Sequence, residues 1–434
     1  MKLRRITATA SWLFLAGKAI GEQRFSQPEF EGGHTIPTFQ MPIMPESVLR
    51  DWLDVALLTI ALIAAIWLVH VRRTRAGVFI LMAASLIYFG FMRNGCICPV
   101  GSMQNMAAAI GFANYTIPLP VVLLFTLPLV AAIFFGRVFC AAVCPLGAIQ
   151  DLMIFGRIRP LPRWLVMVLE LFRYFYFGIA VLLAALGAGF MICKFDPFVG
   201  FFRLSGPPAM LMTGAIMLAI GAFVARPYCR FVCPYGVLLQ LSGRFAWRPV
   251  KILKEECILC GLCTDSCPFD AIKTPNADKP FTDMQKGRHN FFWRFLLLPF
   301  LIMAGFFIGQ LASPALARLH PTVALSEELH LRAVNPQIEY TSDTLQAFDE
   351  NSGNAEATFK KGLILVRRFR VGTGLVGAFV GLMFGVSLLK LSTYRTRTTF
   401  MPNQGHCMAC ARCYNYCPVS RSTGDNIGSD TTQS

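Results

Sequence analysis

Residues 52–92 read WLDVALLTIALIAAIWLVHVRRTRAGVFILMAASLIYFGFM, two apolar runs (52–69 and 78–92) on either side of Arg72, Arg73 and Arg75. Each run approaches the roughly 20 apolar residues that a helix needs to cross a hydrocarbon core about 30 Å thick. Basic residues concentrate in short loops on the cytoplasmic side, so the three arginines mark an inner turn between an outward-to-inward helix and its return. Both runs are helix-length and unbroken, and this pair sets the pattern for the rest of the chain.

Five further apolar runs follow, at 119–135, 171–192, 209–224, 291–311 and 372–389. Arg137 closes the third run, Arg226 and Arg230 follow the fifth, and Arg395 and Arg397 follow the seventh, all on the side expected to be inner. The expected fold is mainly α, a polytopic transmembrane bundle of about seven spans. Arg367, Arg368 and Arg370 stand at the outer end of the seventh run, against this pattern.

At the start, Lys2, Arg4 and Arg5 precede a short apolar stretch, so 1–21 reads as a signal peptide or signal-anchor. The expected organisation continues with an extracytoplasmic segment (22–50), a membrane core carrying repeated Cys-Pro motifs (51–248) and a ferredoxin motif (249–290). A span (291–312), an outer loop (313–361), another span (371–390), a second ferredoxin motif (400–420) and a disordered tail (421–434) complete it.

Composition agrees with the bilayer as solvent: 55% of the 434 residues are hydrophobic and only 15% charged. The formal charge of +16 sits at the ends of apolar runs, not along one polar stripe. That distribution excludes nucleic acid as a partner and fits anionic lipid.

Fifteen cysteines are present, most in short motifs followed by Pro. Cys257, Cys260, Cys263, Cys267 and Pro268 spell C-x2-C-x2-C-x3-C-P, and Cys407, Cys410, Cys413, Cys417 and Pro418 repeat it. Three closely spaced thiols let one loop wrap a cubane, and the fourth is carried to the other cluster in two-cluster ferredoxins. On that logic Cys257, Cys260 and Cys263 join Cys417, and Cys407, Cys410 and Cys413 join Cys267, around two [4Fe–4S] clusters. Structural zinc uses two separate knuckles and fits this run poorly. Two runs separate the motifs, so both are expected to face one compartment, as a split cytoplasmic ferredoxin-like module.

A second pattern occurs three times: Arg93, Cys96, Cys98, Pro99, Gly101, Gln104; Arg137, Cys140, Cys144, Pro145, Gly147, Gln150; and Arg226, Cys229, Cys233, Pro234, Gly236, Gln240. Recurrence implies one structural unit reused. Cys140, Cys144, Cys229 and Cys233 meet at the inner face and can hold a further metal centre. Cys96, Cys98 and Cys193 belong to the outer face, with Asp196 or an outside ligand as a fourth. Buried structural thiols, or an outer disulfide, are the alternatives. The three arginines serve as charge partners for thiolates or as interface anchors. Glu170 and Arg173 are expected to pair or to reach the interface. Gly372, Gly374 and Gly377 spell G-x-G-x-x-G without a preceding strand, which reads as helix packing and not as a nucleotide site.

Together these residues resemble the membrane polyferredoxins of the NosR/NapH type, over roughly 52–417. The resemblance implies an electron conduit linking the quinone pool or a flavoprotein to an enzyme outside the bacterial inner membrane. It also implies, as the alternative, redox sensing or maintenance of an exported metalloenzyme. Segment 22–50 is too short for the flavin domain of the full regulator form, so a separate flavoprotein partner is expected. No acid–base or nucleophile constellation for substrate turnover is visible, no C-x-x-C-H occurs, and the six His form no facing pair. A thiol–disulfide carrier built on the outer cysteines is the remaining alternative.

Overall fold

The computed structural model describes residues 45–95, 99–112, 115–154, 158, 161–252, 257–276, 282–335, 342–350, 354–392 and 397–419. The expected signal segment, most of 22–50, Cys96, Cys98 and the tail 421–434 lie outside the described residues.

Helices α1 (Pro45–Ile66) and α2 (Arg75–Ser85) each continue into widened turns, Trp67–Val71 and Leu86–Met92. These follow the first two apolar runs. Next come α3 (Pro99–Gly111), α4 (Leu119–Phe135), α5 (Val138–Ala142), α6 (Pro145–Asp151) and α7 (Arg163–Leu186). Two short helices, α8 (Met191–Phe195) and α9 (Val199–Arg203), lead to α10 (Pro208–Gly221), α11 (Pro227–Phe231) and α12 (Tyr235–Arg244). The remainder is α13 (Leu262–Asp265), β1 (Ile272–Lys273), α14 (Thr282–Ala317), α15 (Pro321–Val334), α16 (Asp343–Glu350), α17 (Ala355–Ser392), β2 (Met401–Pro402) and α18 (Arg412–Tyr416).

All seven apolar runs are helical. Among the described residues, five helices are long and apolar enough to cross a membrane, whereas α4 and α10 are shorter apolar helices. Large apolar side chains stay exposed along them, including Ile60, Ile80, Phe300, Phe307 and Leu311. An exposed apolar face of this extent is at home against lipid and costly against water.

The repeat seen in the sequence is a repeat in space. The series α4–α5–α6 and the series α10–α11–α12 each run from an apolar helix through a five-residue Cys helix into a second short helix. Pro145 starts α6 at the first helical position, where its missing N–H costs nothing, and Cys144 before it is extended, as a residue preceding Pro prefers. The two series need the same sharp entry and reach it differently. Gly136 takes a positive φ of 81° in the first, while Arg226 itself takes φ 48° in the second.

Helices α14 and α17 form a tight hairpin. A Cβ on Gly377 would collide with the Gly305 carbonyl, and one on Gly309 with the Thr373 carbonyl. The G-x-G-x-x-G run is therefore a helix-packing face, as read. At 1.5 Å per residue α17 is about 57 Å long, well beyond the bilayer core. Arg367, Arg368 and Arg370 are exposed in the first half of α17, three to four turns after its start at Ala355, and still stand against the span pattern.

The segment 313–361 carries the end of α14, α15, α16 and the start of α17. The fourth run ends at Leu186, short of 192, because Gly187 (φ 79°) and Gly189 (φ 108°) turn the chain back. Cys193 then lies on its own short helix rather than at the end of a span.

Candidate metal centres

The two ferredoxin motifs come together. Ile272 pairs with Pro402 and Lys273 with Met401 in an antiparallel ribbon, extended by Asn403 N–H donating to the Ala271 carbonyl at 2.7 Å. Helices α13 and α18, one from each motif, pack against each other. In both loops the residues flanking the second Cys are left-handed: Leu259 (φ 57°) and Gly261 (φ 78°) around Cys260, Ala409 (φ 53°) and Ala411 (φ 59°) around Cys410. Left-handed Leu and Ala are uncommon and strained. The same pair of turns in both loops directs successive N–H groups to one side, which makes an anion-binding concavity.

Each loop borders a hollow that also takes cysteines from the other motif, two in the first and one in the second. The first is lined by Cys257, Cys260 and Cys263 together with Cys413 and Cys417. The second is lined by Cys407, Cys410 and Cys413 together with Cys267. Among the described residues no three His, Cys, Asp or Glu side chains close on one ion-sized point. The thiols stand around hollows, and a hollow is what a multi-iron cluster fills. Burial pushes the Cys263 thiol up to about 11, so its thiolate form at neutral pH requires a bound cation.

The two loops sit differently. Met408, Ala409 and Ala411 are buried in the same core as Cys140, Cys144, Cys229 and Cys233. Cys263 belongs to a separate small cluster with Ile272 and Phe400, and Cys260 is exposed.

Within the core the second and third Cys-Pro copies interlock reciprocally. Arg226 crosses to the second copy, where its guanidinium donates to the Cys140 carbonyl and passes over Gly147. A Cβ on Gly147 would lie 2.8 Å from that carbonyl and 3.1 Å from Arg226 Nη1. Arg137 reaches the third copy in turn, 3.7 Å from where a Cβ on Gly236 would stand, and its Nη2 is 3.8 Å from Cys140 Sγ. Gly147 thus clears a path for the partner copy's arginine, whereas Arg137 passes Gly236 at ordinary contact distance.

Gln150 completes the lock. Its carbonyl accepts from Tyr228 N–H at 3.1 Å, capping α11, and its amide donates to Leu146 O at 2.8 Å and to Cys229 Sγ at 3.3 Å. Gln240, one residue later in its copy, instead accepts from Arg173. Glu170 faces His406 at 3.4 Å, so Glu170 and Arg173 turn to different partners instead of to each other.

The first copy partners α8. With its oxygen turned toward the chain, the Gln104 amide accepts from Met191 N at 3.0 Å and Ile192 N at 3.2 Å, leaving its NH2 group 3.7 Å from Cys193 Sγ. A cavity here is lined by Gly95, Gly101, Pro145, Leu146, Cys193 and Asp196. Asp196 is buried, accepting from Phe198 N–H at 2.9 Å and from Tyr228 O–H at 3.0 Å. Arg93 turns to Asp54, 2.7 Å away and fully buried, and not to any described thiol.

Sequence reading missed Asp151, Arg75, Arg412 and Tyr228. Asp151 receives Arg226 Nε at 3.2 Å, Arg412 Nη2 at 3.4 Å and Arg75 Nη2. Only the second copy has a carboxylate after its Gln, so the repeat hides it. The signal was the run of bases around the cysteines, which called for a buried acid.

Comparison with known proteins matches part of this chain. A family model described as a 4Fe-4S binding domain matches residues 117–162 and 205–254, the segments of the second and third Cys-Pro copies. A second model of the same description matches 250–273, the first ferredoxin motif. A protein of Escherichia coli (strain K12) named "Putative electron transport protein YccM" is 32% identical over 125 residues, 26% of this chain and 35% of that protein. Two uncharacterized proteins of Methanocaldococcus jannaschii are 31% identical over 77 residues (18% of this chain, 31% of theirs) and 27% identical over 209 residues (44% and 82%). The match thus spans about a third of the length of the first two relatives. No solved structure matches the chain.

Proposed function

We propose that this chain is a membrane-type polyferredoxin that carries electrons across the bacterial inner membrane, in the manner of the NosR/NapH type. Bound iron–sulfur clusters supply one-electron carriers, while the protein sets their position, charge and access to water. The observation that carries this reading is the pair of hollows, each bordered by three cysteines of one motif and the fourth of the other. Cys257, Cys260, Cys263 and Cys417 hold one [4Fe–4S] cluster, and Cys407, Cys410, Cys413 and Cys267 hold the second. Cys140, Cys144, Cys229 and Cys233 hold a third centre. The cavity of Cys193, with Cys96 and Cys98 of the first copy, is the outer station.

Two contacts support a cytoplasmic position for the ferredoxin module. Arg73 stacks over Tyr414 at 5.3 Å and Arg75 Nη1 donates to the Cys410 carbonyl at 3.4 Å. These arginines belong to the basic loop between the first two spans, and basic loops stay in the cytoplasm. The ferredoxin module therefore faces the cytoplasm, with the split spans α14 and α17 leaving and re-entering it. The exposed loop 257–263 receives electrons from a cytoplasmic or quinone-linked donor, and the outer station passes them to an extracytoplasmic acceptor or flavoprotein.

Anaerobic iron and sulfide analysis with an electron paramagnetic resonance (EPR) redox titration tests the reading. Three centres or more are expected. A colourless, iron-free preparation overturns it. Cys417→Ser should remove the signal of the 257–263 loop and spare that of the 407–413 loop; the reverse would show local ligation.

A further inference from the structure

Four arginines stand where loop 407–413 rests on the four-thiol site, and one carboxylate answers three of them. Asp151, 5% exposed at the end of α6, is shared by Arg226, Arg75 and Arg412. Arg137, 3% exposed, is paired with no carboxylate among the described residues, and its Nε is buried without a hydrogen-bond partner. Its Nη1 reaches the Gly405 carbonyl at 3.4 Å and its Nη2 the Cys140 thiol. Uncompensated buried cations are costly, so this ground suits anionic, thiolate-bound centres on either side of it.

The arginines divide between those centres. Arg226 touches Cys140 through its carbonyl, whereas Arg75 holds the Cys410 carbonyl and Arg412 lines the hollow of loop 407–413. None of the four lines the hollow of loop 257–263. We propose that Asp151 is a positioning residue that sets the reduction potentials of the four-thiol centre and the 407–413 centre together, by fixing how much arginine charge is left to face their thiolates. This rests on the ligand sets given under Proposed function. Adding one electron adds one negative charge, which nearby positive charge stabilises, so removing the Asp151 charge favours the reduced form of both centres. Removing one of its arginines does the opposite.

The test is an anaerobic EPR redox titration of the full chain and of Asp151→Asn, Asp151→Glu and Arg75→Gln. Asp151→Asn should raise the midpoints of two centres and leave that of the 257–263 loop in place. A tenfold change in the reduced-to-oxidised ratio, about 59 mV for one electron, is the expected scale. Arg75→Gln should move the same two downward, and Asp151→Glu should return them toward wild type. Should Asp151→Asn lose iron, the downward shift in Arg75→Gln decides the matter. Unmoved midpoints, a shift shared equally by all three centres, or the same sign in both charge variants overturns the role of Asp151. An iron-free wild type overturns the functional reading instead, before any variant is made.

Discussion

The four-thiol site and the cavity of Cys193 are built with one device and finished differently. In both, the Gln of a Cys-Pro-x-Gly element caps a five-residue helix with its carbonyl and presents its amide to the Cys at that helix's third position: Gln150 to Cys229, Gln104 to Cys193. From there they diverge. Cys229 is followed by Cys233-Pro234, whereas Cys193 is followed by Asp196-Pro197. Arginines cross between the copies at the first site, while Arg93 turns away to Asp54. The first lies buried among arginines that outnumber its one carboxylate, and the second borders a cavity on which Cys193 is exposed. Tyr228, next to Cys229 and bonded to Asp196, joins them. The lesson is that a repeated fold element preserves its backbone capping first and its metal-facing residues second.

The sharpest way to break this comparison is to remove thiols on each side. Cys140→Ser with Cys229→Ser should abolish electron transfer across sealed vesicles and lower iron content, whereas Cys193→Ser should slow transfer and leave ferredoxin-loop iron in place. Equal loss in both would make the two sites one. A smaller effect is expected at the glycines. Gly147→Ala forces a Cβ against the Cys140 carbonyl and Arg226, and should destabilise by about 1–3 kcal/mol. Gly101→Ala meets only Cys193 Sγ at 3.7 Å and should be neutral or stabilising by about 0.5–1 kcal/mol, read by thermal unfolding in detergent. The smallest contrast is at the glutamines. Gln150→Ala and Gln104→Ala each leave buried N–H groups unmet, about 1–3 kcal/mol. Similar losses would support one shared device, and a loss confined to Gln150→Ala would argue against it.

The contrast also shows what a sequence discloses. Apolar runs are a property of consecutive residues, so all seven were readable, and ferredoxin spacing is likewise local. The repeat was visible because Arg, Cys, Pro, Gly and Gln recur at near-constant offsets. Its reciprocity was not, since which arginine crosses to which glycine depends on how two series pack. The short helix of Cys193 was hidden because Gly187 and Gly189 lie inside a stretch that is apolar throughout, and hydropathy is blind to a left-handed turn. Asp151 escaped because it breaks the repeat, and its importance comes from Arg75 and Arg412, far away along the chain.

One arrangement constrains how the molecule is made. Strand β1 precedes the α14–α17 hairpin and its partner β2 follows it, so the ribbon that unites the two cysteine loops cannot close until the ribosome has delivered residue 402. By then the intervening hairpin has already been synthesised. Under the cross-ligation proposed above, a complete pair of cluster sites waits for the hairpin to be made, and a chain whose hairpin fails to integrate would lack it.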